Sequence, residues 1–234
     1  MKGFWSLLLL AAAGAAQPTP VLVELFTSEG CSDCPPADRL LEQLEQAQPV
    51  AGATIIVLSE HVDYWDRLGW KDPFSAHFFS ERQEEYARRF RLDSVYTPQM
   101  VVDGEAEFVG SNGRQALAAV GAAARTKKAA VRLTHRSGNL VRVEVDGLAD
   151  RASDVYLAVV EKTGESQVIR GENRGRNLHH VAIVRRIVPL GKCKAGTPFV
   201  RELAANEAEN GAFRLVAFVQ DGGSGAVRGV GVLQ

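Results

Sequence analysis

Cys31 and Cys34, in Cys31-Ser-Asp-Cys34, are the residues of this 234-residue chain whose type and spacing could do covalent chemistry. A cysteine pair at this spacing suits a zinc ribbon, a short structural disulfide or a redox dithiol, and the spacing alone does not choose. The flanks say more. A strand-like run, Val21-Leu-Val-Glu-Leu-Phe26, leads into the motif, and Pro35 and Pro36 with Ala37, Leu40, Leu41 and Leu44 predict a helix directly after it. A cysteine at that junction meets free backbone N–H groups and the positive end of the helix macrodipole, which favour thiolate over thiol. Cys31 is then the nucleophile. Cys34, one turn on and more buried, would attack the mixed disulfide and release the partner, which is thiol–disulfide exchange in two steps.

Other residues could serve that chemistry. Thr97-Pro98 opens a strand at Gln99–Val102; a cis Pro98 would face the sulfurs and leave the preceding backbone free to pair with an extended peptide. Glu24 sits inside the apolar run, seven residues before Cys31. Buried, it could act as a base for Cys34; in the other register it points to solvent. Asp33 would raise the Cys31 pKa by like-charge repulsion if close, or else belong with Ser32 to a solvated turn. Tyr64, Trp65 and Trp70 either line a groove for an apolar substrate segment or fasten a long loop to the core. Cys193, between Lys192 and Lys194, is the odd cysteine: a loop thiol, an intermolecular partner, or a third redox group if the fold brings it to Cys31.

Two rival readings use the same residues. Cys31, Cys34 and His61 could bind copper through thiolates and imidazole, although a lone histidine also serves as a satisfied structural residue. Zinc lacks a second cysteine pair, and His179-His180 lies in a strand pattern that sends neighbours to opposite faces, a poor chelate. Alternatively, Cys31–Cys34 is a structural disulfide in a non-catalytic binding module. The exchange reading needs no cofactor.

The elements that must position these groups fall into two halves. After the first strand and helix come a buried strand candidate at Thr54–Leu58, a helix after Asp72-Pro73, and a capping box, Ser80-Glu-Arg-Gln83, ahead of Tyr86, Ala87 and Phe90. A hairpin follows, Gln99–Val102 and Glu105–Val109 around Asp103-Gly104, then an alanine-rich helix from Gly113 to Arg125. Beyond Thr126-Lys-Lys128 the pattern turns to alternation, as at Val141, Val143 and Val145, with further runs at 155–160, 180–188, 213–219 and 226–233. About seven strands in such a span suggest a β-sandwich.

The order β-α-β-α-β-β-α is similar to the thioredoxin layout. Glu24-Leu-Phe-Thr-Ser-Glu-Gly-Cys31-Ser-Asp-Cys34-Pro-Pro-Ala-Asp38, His61-Val-Asp-Tyr-Trp-Asp66, Leu68-Gly-Trp-Lys-Asp-Pro73 and Tyr96-Thr-Pro-Gln-Met-Val-Val-Asp-Gly104 resemble an exported bacterial thioredoxin-like family classified only as a domain of unknown function. The resemblance implies an α/β thioredoxin-like domain with a redox-type motif. Ordinary thioredoxins carry Gly-Pro or Pro-His between the cysteines and an aromatic before them; this chain has Ser32-Asp33 and Gly30.

The expected organisation is therefore a signal peptide at 1–16, a thioredoxin-like domain at 17–126 and an all-β sandwich-like domain at 127–234. Lys2, the apolar run from Phe4 to Ala13, and Gly14 and Ala16 at −3 and −1 of a cut before Gln17 carry the leader. That run is shorter than the roughly 20 residues a membrane span takes. The expected location is periplasmic or secreted, with protein thiols or disulfides of the cell envelope as partners. Composition, 46% apolar and 24% charged, supports real cores, and a net charge of −1 supplies no basic field for nucleic acid.

Overall fold

The computed structural model describes residues 17–148 and 150–233; the leader read at 1–16 lies outside the described residues. The first half runs β1 (Thr19–Thr27), α1 (Pro35–Ala47), β2 (Ala53–His61), a short 3-10 turn (Asp66–Leu68), α2 (His77–Phe90), β3 (Gln99–Val102), β4 (Ala106–Val109) and α3 (Gly113–Ala123). The second half is all strand: β5 (Val131–His135), β6 (Leu140–Val145), β7 (Ser153–Gln167), β8 (Asn177–Cys193), β9 (Phe199–Ala204), β10 (Phe213–Gln220) and β11 (Val227–Leu233), with one 3-10 turn after β9.

The strands overturn the expected fold class. They form one mixed eight-stranded sheet, in the order β11-β10-β7-β8-β2-β1-β3-β4, and a three-stranded sheet, β5-β6-β9. The chain is thus not an α/β thioredoxin-like domain followed by a β-sandwich: strands of the second half continue the sheet of the first, joined where Ser59 of β2 pairs in parallel with Ile183 of β8. The cause lies in the residues. Val181, Ala182, Ile183 and Val184 are all buried, so β8 is covered on both faces. A strand with two dry faces belongs in the middle of a sheet, and pairing it there also covers the edge of β2.

Two cores result. Helices and sheet enclose the larger, built on Val21, Val23, Leu25, Leu41, Val57 and Met100. The smaller lies between the three-stranded sheet (Val141, Val143, Val145) and the other face of the large one (Leu157, Leu215, Ala217). Here β5 crosses β11 so closely that a Cβ at Gly231 would lie 2.3 Å from the Val131 carbonyl oxygen, so glycine is required. A buried ion pair at 2.7 Å, Lys128 with Asp103, also ties the halves together.

The capping box also proves misplaced. α2 starts at His77, three residues before Ser80, and Ser80 instead hydrogen-bonds the Asp63 side chain at 2.6 Å while accepting from the Asp63 amide. The element that matters most for the site is the β7–β8 hairpin, whose 15- and 17-residue strands carry its tip, residues 168–176, to the opening of α1.

Candidate functional site

Cys31 and Cys34 are joined in a disulfide, with Cα atoms 5.4 Å apart. Cys34 is the N-cap of α1, and its carbonyl accepts from the amides of Ala37 and Asp38 at 2.8 and 3.1 Å. Pro35 fits the following position because its missing N–H would have had no partner in the helix. Both cysteines are buried, Cys31 at 2% exposure and Cys34 at 0%. Ser32 and Asp33 between them are exposed, so the Asp33 carboxylate faces water.

Thr97 and Pro98 are brought to this motif. Their peptide bond is cis. Trp65 donates its indole N–H to Thr97 Oγ1 at 2.8 Å, while its own Cβ would stand 2.8 Å from a Cβ on Gly30. That contact leaves no room for a larger residue before Cys31. Pro98 and Ala37 of α1 converge on Gly110, where an added Cβ would lie 3.1 and 3.3 Å from their Cβ atoms.

Glu24 is not brought there. Thr27 faces α1, donating to Asp38 Oδ1 at 2.9 Å, so alternation turns Glu24 to the opposite face, toward α2. Its Oε1 accepts from Arg82 Nε at 2.8 Å and also from Nη2, and its Oε2 accepts from the Tyr86 hydroxyl at 2.6 Å. Gln220 closes the cluster, donating to Tyr86 at 2.8 Å and accepting from Arg82 at 3.0 Å. Glu60 lies 3.5 Å from Arg82, and burial, reinforced by the Glu24 charge, holds its carboxyl well above the usual range.

A different acidic cluster lies behind the disulfide. Glu29, fully buried two residues before Cys31, accepts from Trp70 Nε1 at 2.7 Å and from the Ser166 hydroxyl, and meets His180 Nε2 at 3.3 Å. Asp72 accepts from the Glu29 amide at 2.9 Å and from His61 Nδ1 at 2.7 Å. The imidazoles of His61 and His180 pack edge to face, centroids 4.6 Å apart, with Phe74 against both. Asp38 completes the group, its Oδ2 standing 3.9 Å from His180 Nδ1. His61 Nε2 and His180 Nδ1, both buried, have no hydrogen-bond partner.

The electrostatics differ from group to group. Burial pushes Asp38 up, and the two nearby imidazoles only partly offset it. For Asp72 burial also raises the pKa, but the His61 charge and hydrogen bond, with the amides of Glu29 and Phe74, outweigh it and bring the carboxyl to about 2. His61 is the counterpart: burial opposes the imidazolium, yet Asp72 and the other carboxylates hold its pKa above the ordinary value. Of these residues only His61 stood out as a candidate in the sequence. Asp38 had a readable signal, because residues four apart on a helix share a face and Cys34 is its partner at that spacing. His180 had none, since its placement depends on a long-range strand pairing.

The tip of the β7–β8 hairpin covers the motif. Asn173, fully buried, donates its side-chain amide to the carbonyls of Glu29 and Cys31, each at 2.8 Å. Glu172 accepts from the Ser32 amide at 3.0 Å. Trp70 passes beneath the tip, 3.4 Å from where a Gly171 Cβ would sit, so the tryptophans are fastened into the loop around the site by hydrogen bonds and packing. Cys193 is buried in the smaller core, pairs with Ser153, and stands at the far end of β8 from this tip, apart from Cys31. His179 is exposed and near Glu165 at 3.4 Å while His180 is buried, as alternation requires. Among the described residues no group of three or more histidines, cysteines, aspartates or glutamates is disposed to hold a metal ion, and no helix is long and apolar enough to cross a membrane.

The chain belongs to the family described as "Protein of unknown function (DUF1223)", matched over residues 22–220, which bears out the expectation of a family without an assigned function and not its thioredoxin-like character. It is similar to the crystal structure of protein AGR_C_4864 from Agrobacterium tumefaciens, with TM-score 0.78 and 26% identity over 94% of this chain and 96% of that chain. HBP35 of Porphyromonas gingivalis matches with TM-score 0.54 and 16% identity over 93% of this chain and 75% of that one, a likeness of fold alone. No curated protein matches the chain.

Proposed function

We propose that this member of the family exchanges disulfides with protein thiols of the cell envelope through Cys31 and Cys34. The observation that carries the reading is the position of the disulfide: it ends at the N-cap of α1, with the buried carboxyl of Asp38 one helical turn beyond Cys34.

A partner thiolate attacks Cys31 Sγ, the Cys31–Cys34 bond breaks, and Cys34 leaves with the electron pair as a thiolate. Asp38 shares the helix face of Cys34, and burial favours its protonated form, so it can supply a proton to that thiolate. The second partner thiol then loses its proton and attacks the partner sulfur of the mixed disulfide. Cys31 leaves as a thiolate, stabilised by the free amides at the start of α1. The partner has formed a disulfide, and two electrons have passed to Cys31 and Cys34; the reverse sequence reduces a partner disulfide.

The burial of both cysteines favours a second reading, in which the bond is a structural staple. The reduction potential, measured by equilibration in glutathione buffers and counting of free thiols by mass, decides between them. Exchange predicts a value between roughly −270 and −120 mV, and a staple predicts one below about −300 mV. In the exchange case Cys31→Ser abolishes turnover and Cys34→Ser accumulates mixed disulfides with partner proteins.

A further inference from the structure

The cysteines of an exchange site must meet a partner sulfur, yet Cys31 is 2% exposed. Seated on the backbone of the motif is the hairpin tip at 168–176, which comes more than 130 residues later in the chain, the Asn173–Cys31 separation being 142. Its bonds fall on the backbone of the motif: the Asn173 amide bridges the carbonyls on either side of Gly30, and Glu172 takes the amide of Ser32. The tip is also preset to make them. Val168 and Gly175 close its base, the Gly175 amide donating to the Val168 carbonyl at 2.7 Å, and Arg176 donates to Asn173 Oδ1 at 3.0 Å, which aims the other amide atom at the two carbonyls. Gly171 and Gly175 adopt φ of 77° and 83°, a backbone that side-chain-bearing residues rarely take.

We propose that residues 168–176 form an autoinhibitory cap, held on the motif by Asn173 and Glu172, which must lift before a thiolate can reach Cys31. This rests on the exchange reading, whose site it regulates. Three hydrogen bonds hold the cap, one of them accepted by the exposed carboxylate of Glu172, so opening is local and does not require the sheet to separate. The opened fraction then sets the rate at which any thiol reacts, because local opening takes far less free energy than global unfolding.

The test is the bimolecular rate of Cys31–Cys34 reduction by dithiothreitol at pH 7, followed by acid quench, alkylation and mass. Asn173→Ala is expected to react at least tenfold faster than the unaltered protein. Glu172→Gln, a change on an exposed side chain that leaves the core untouched, is expected to react two- to threefold faster. Val143→Ala, which loosens the smaller core away from the tip, is expected to react at the unaltered rate. Equal rates for the first two variants overturn the cap. So does an acceleration by Val143→Ala matching that of Asn173→Ala, since access would then come from global unfolding. A reduction potential in the staple range fails the exchange reading alone and leaves this rate comparison to decide the cap; equal rates fail the cap and leave the exchange reading standing.

Discussion

Two buried ionic clusters lie on the two faces of β1, and they are built on different terms. On the α2 face, Glu24 holds a permanent cation, Arg82, and its oxygens are taken up by Arg82 and Tyr86. On the α1 face, Glu29, Asp38 and Asp72 face His61 and His180, cations only when protonated, and one nitrogen of each imidazole has no partner. The first arrangement is anchored by a guanidinium that keeps its charge, while burial and the Glu24 charge favour the protonated form of the neighbouring Glu60; the second is built on imidazoles, whose charge depends on protonation. The disulfide stands beside the second. The permanent cation therefore serves stability here, and the imidazoles lie where sulfur chemistry would exchange protons.

The sharpest way to break the contrast is to remove the fixed cation. Arg82→Ala leaves the buried Glu24 with the Tyr86 hydroxyl but no cation, and Tyr86 and Gln220 without their shared donor, the situation that costs about 3–5 kcal/mol when one member of a buried ion pair is lost. Urea denaturation at pH 7 should show a loss of that size, and a loss under 1 kcal/mol would mean that the cluster is hydrated or rearranges. The α1 side should instead respond to pH. Asp72 has a folded pKa of about 2 against an ordinary 3.8, so the stability it contributes is present above about pH 4 and is lost as pH falls toward 2. The loss is on the order of 2 kcal/mol. Asp72→Asn should flatten the stability profile between pH 4 and 2, and an unchanged acid limb would refute the His61–Asp72 pairing as its source.

The contrast also shows why only part of the molecule was legible in the sequence. The motif, the helix after it and the early strands rest on local patterns, and α1, β2, β3, β4 and α3 fall close to where those patterns place them. Glu24 was readable as a buried carboxyl but not as facing α2, because alternation fixes which residues of β1 share a face without fixing which face meets α1. The fold class failed for a related reason. Runs such as Val181–Val184, next to alternating strands, suggest a sandwich, whereas their continuous burial marks strands inserted into the interior of one sheet. His180, Ser166 and Asn173 reach the site only through that insertion, over separations of 137 to 151 residues from Glu29. No local pattern encodes a contact of that range.

The smallest expected effect sharpens the comparison most. Burial raises the pKa of Asp38, so the folded protein holds its proton to higher pH than the unfolded chain does; the related stability is present at low pH and declines as pH rises through the folded pKa. The groups facing it are Thr27 from β1, His61 from β2, His180 from β8 and, farther off, Asp72. Asp38→Asn keeps the shape and the bond from Thr27 but can neither hold nor release that proton. If Asp38 protonates Cys34 as it leaves, reduction at pH 7 should slow about tenfold, equivalent to about 1.4 kcal/mol in the barrier, and the rate should lose part of its pH dependence. A merely structural Asp38 would change stability and leave the shape of the rate–pH profile as it was. Glu24→Gln supplies the counterpart from the other face: it should cost stability, through the Arg82 pair, without altering that profile. If Glu24→Gln reshapes the profile and Asp38→Asn does not, the assignment of the two faces is reversed, and the carboxyl that communicates with the sulfurs is the one bound to arginine.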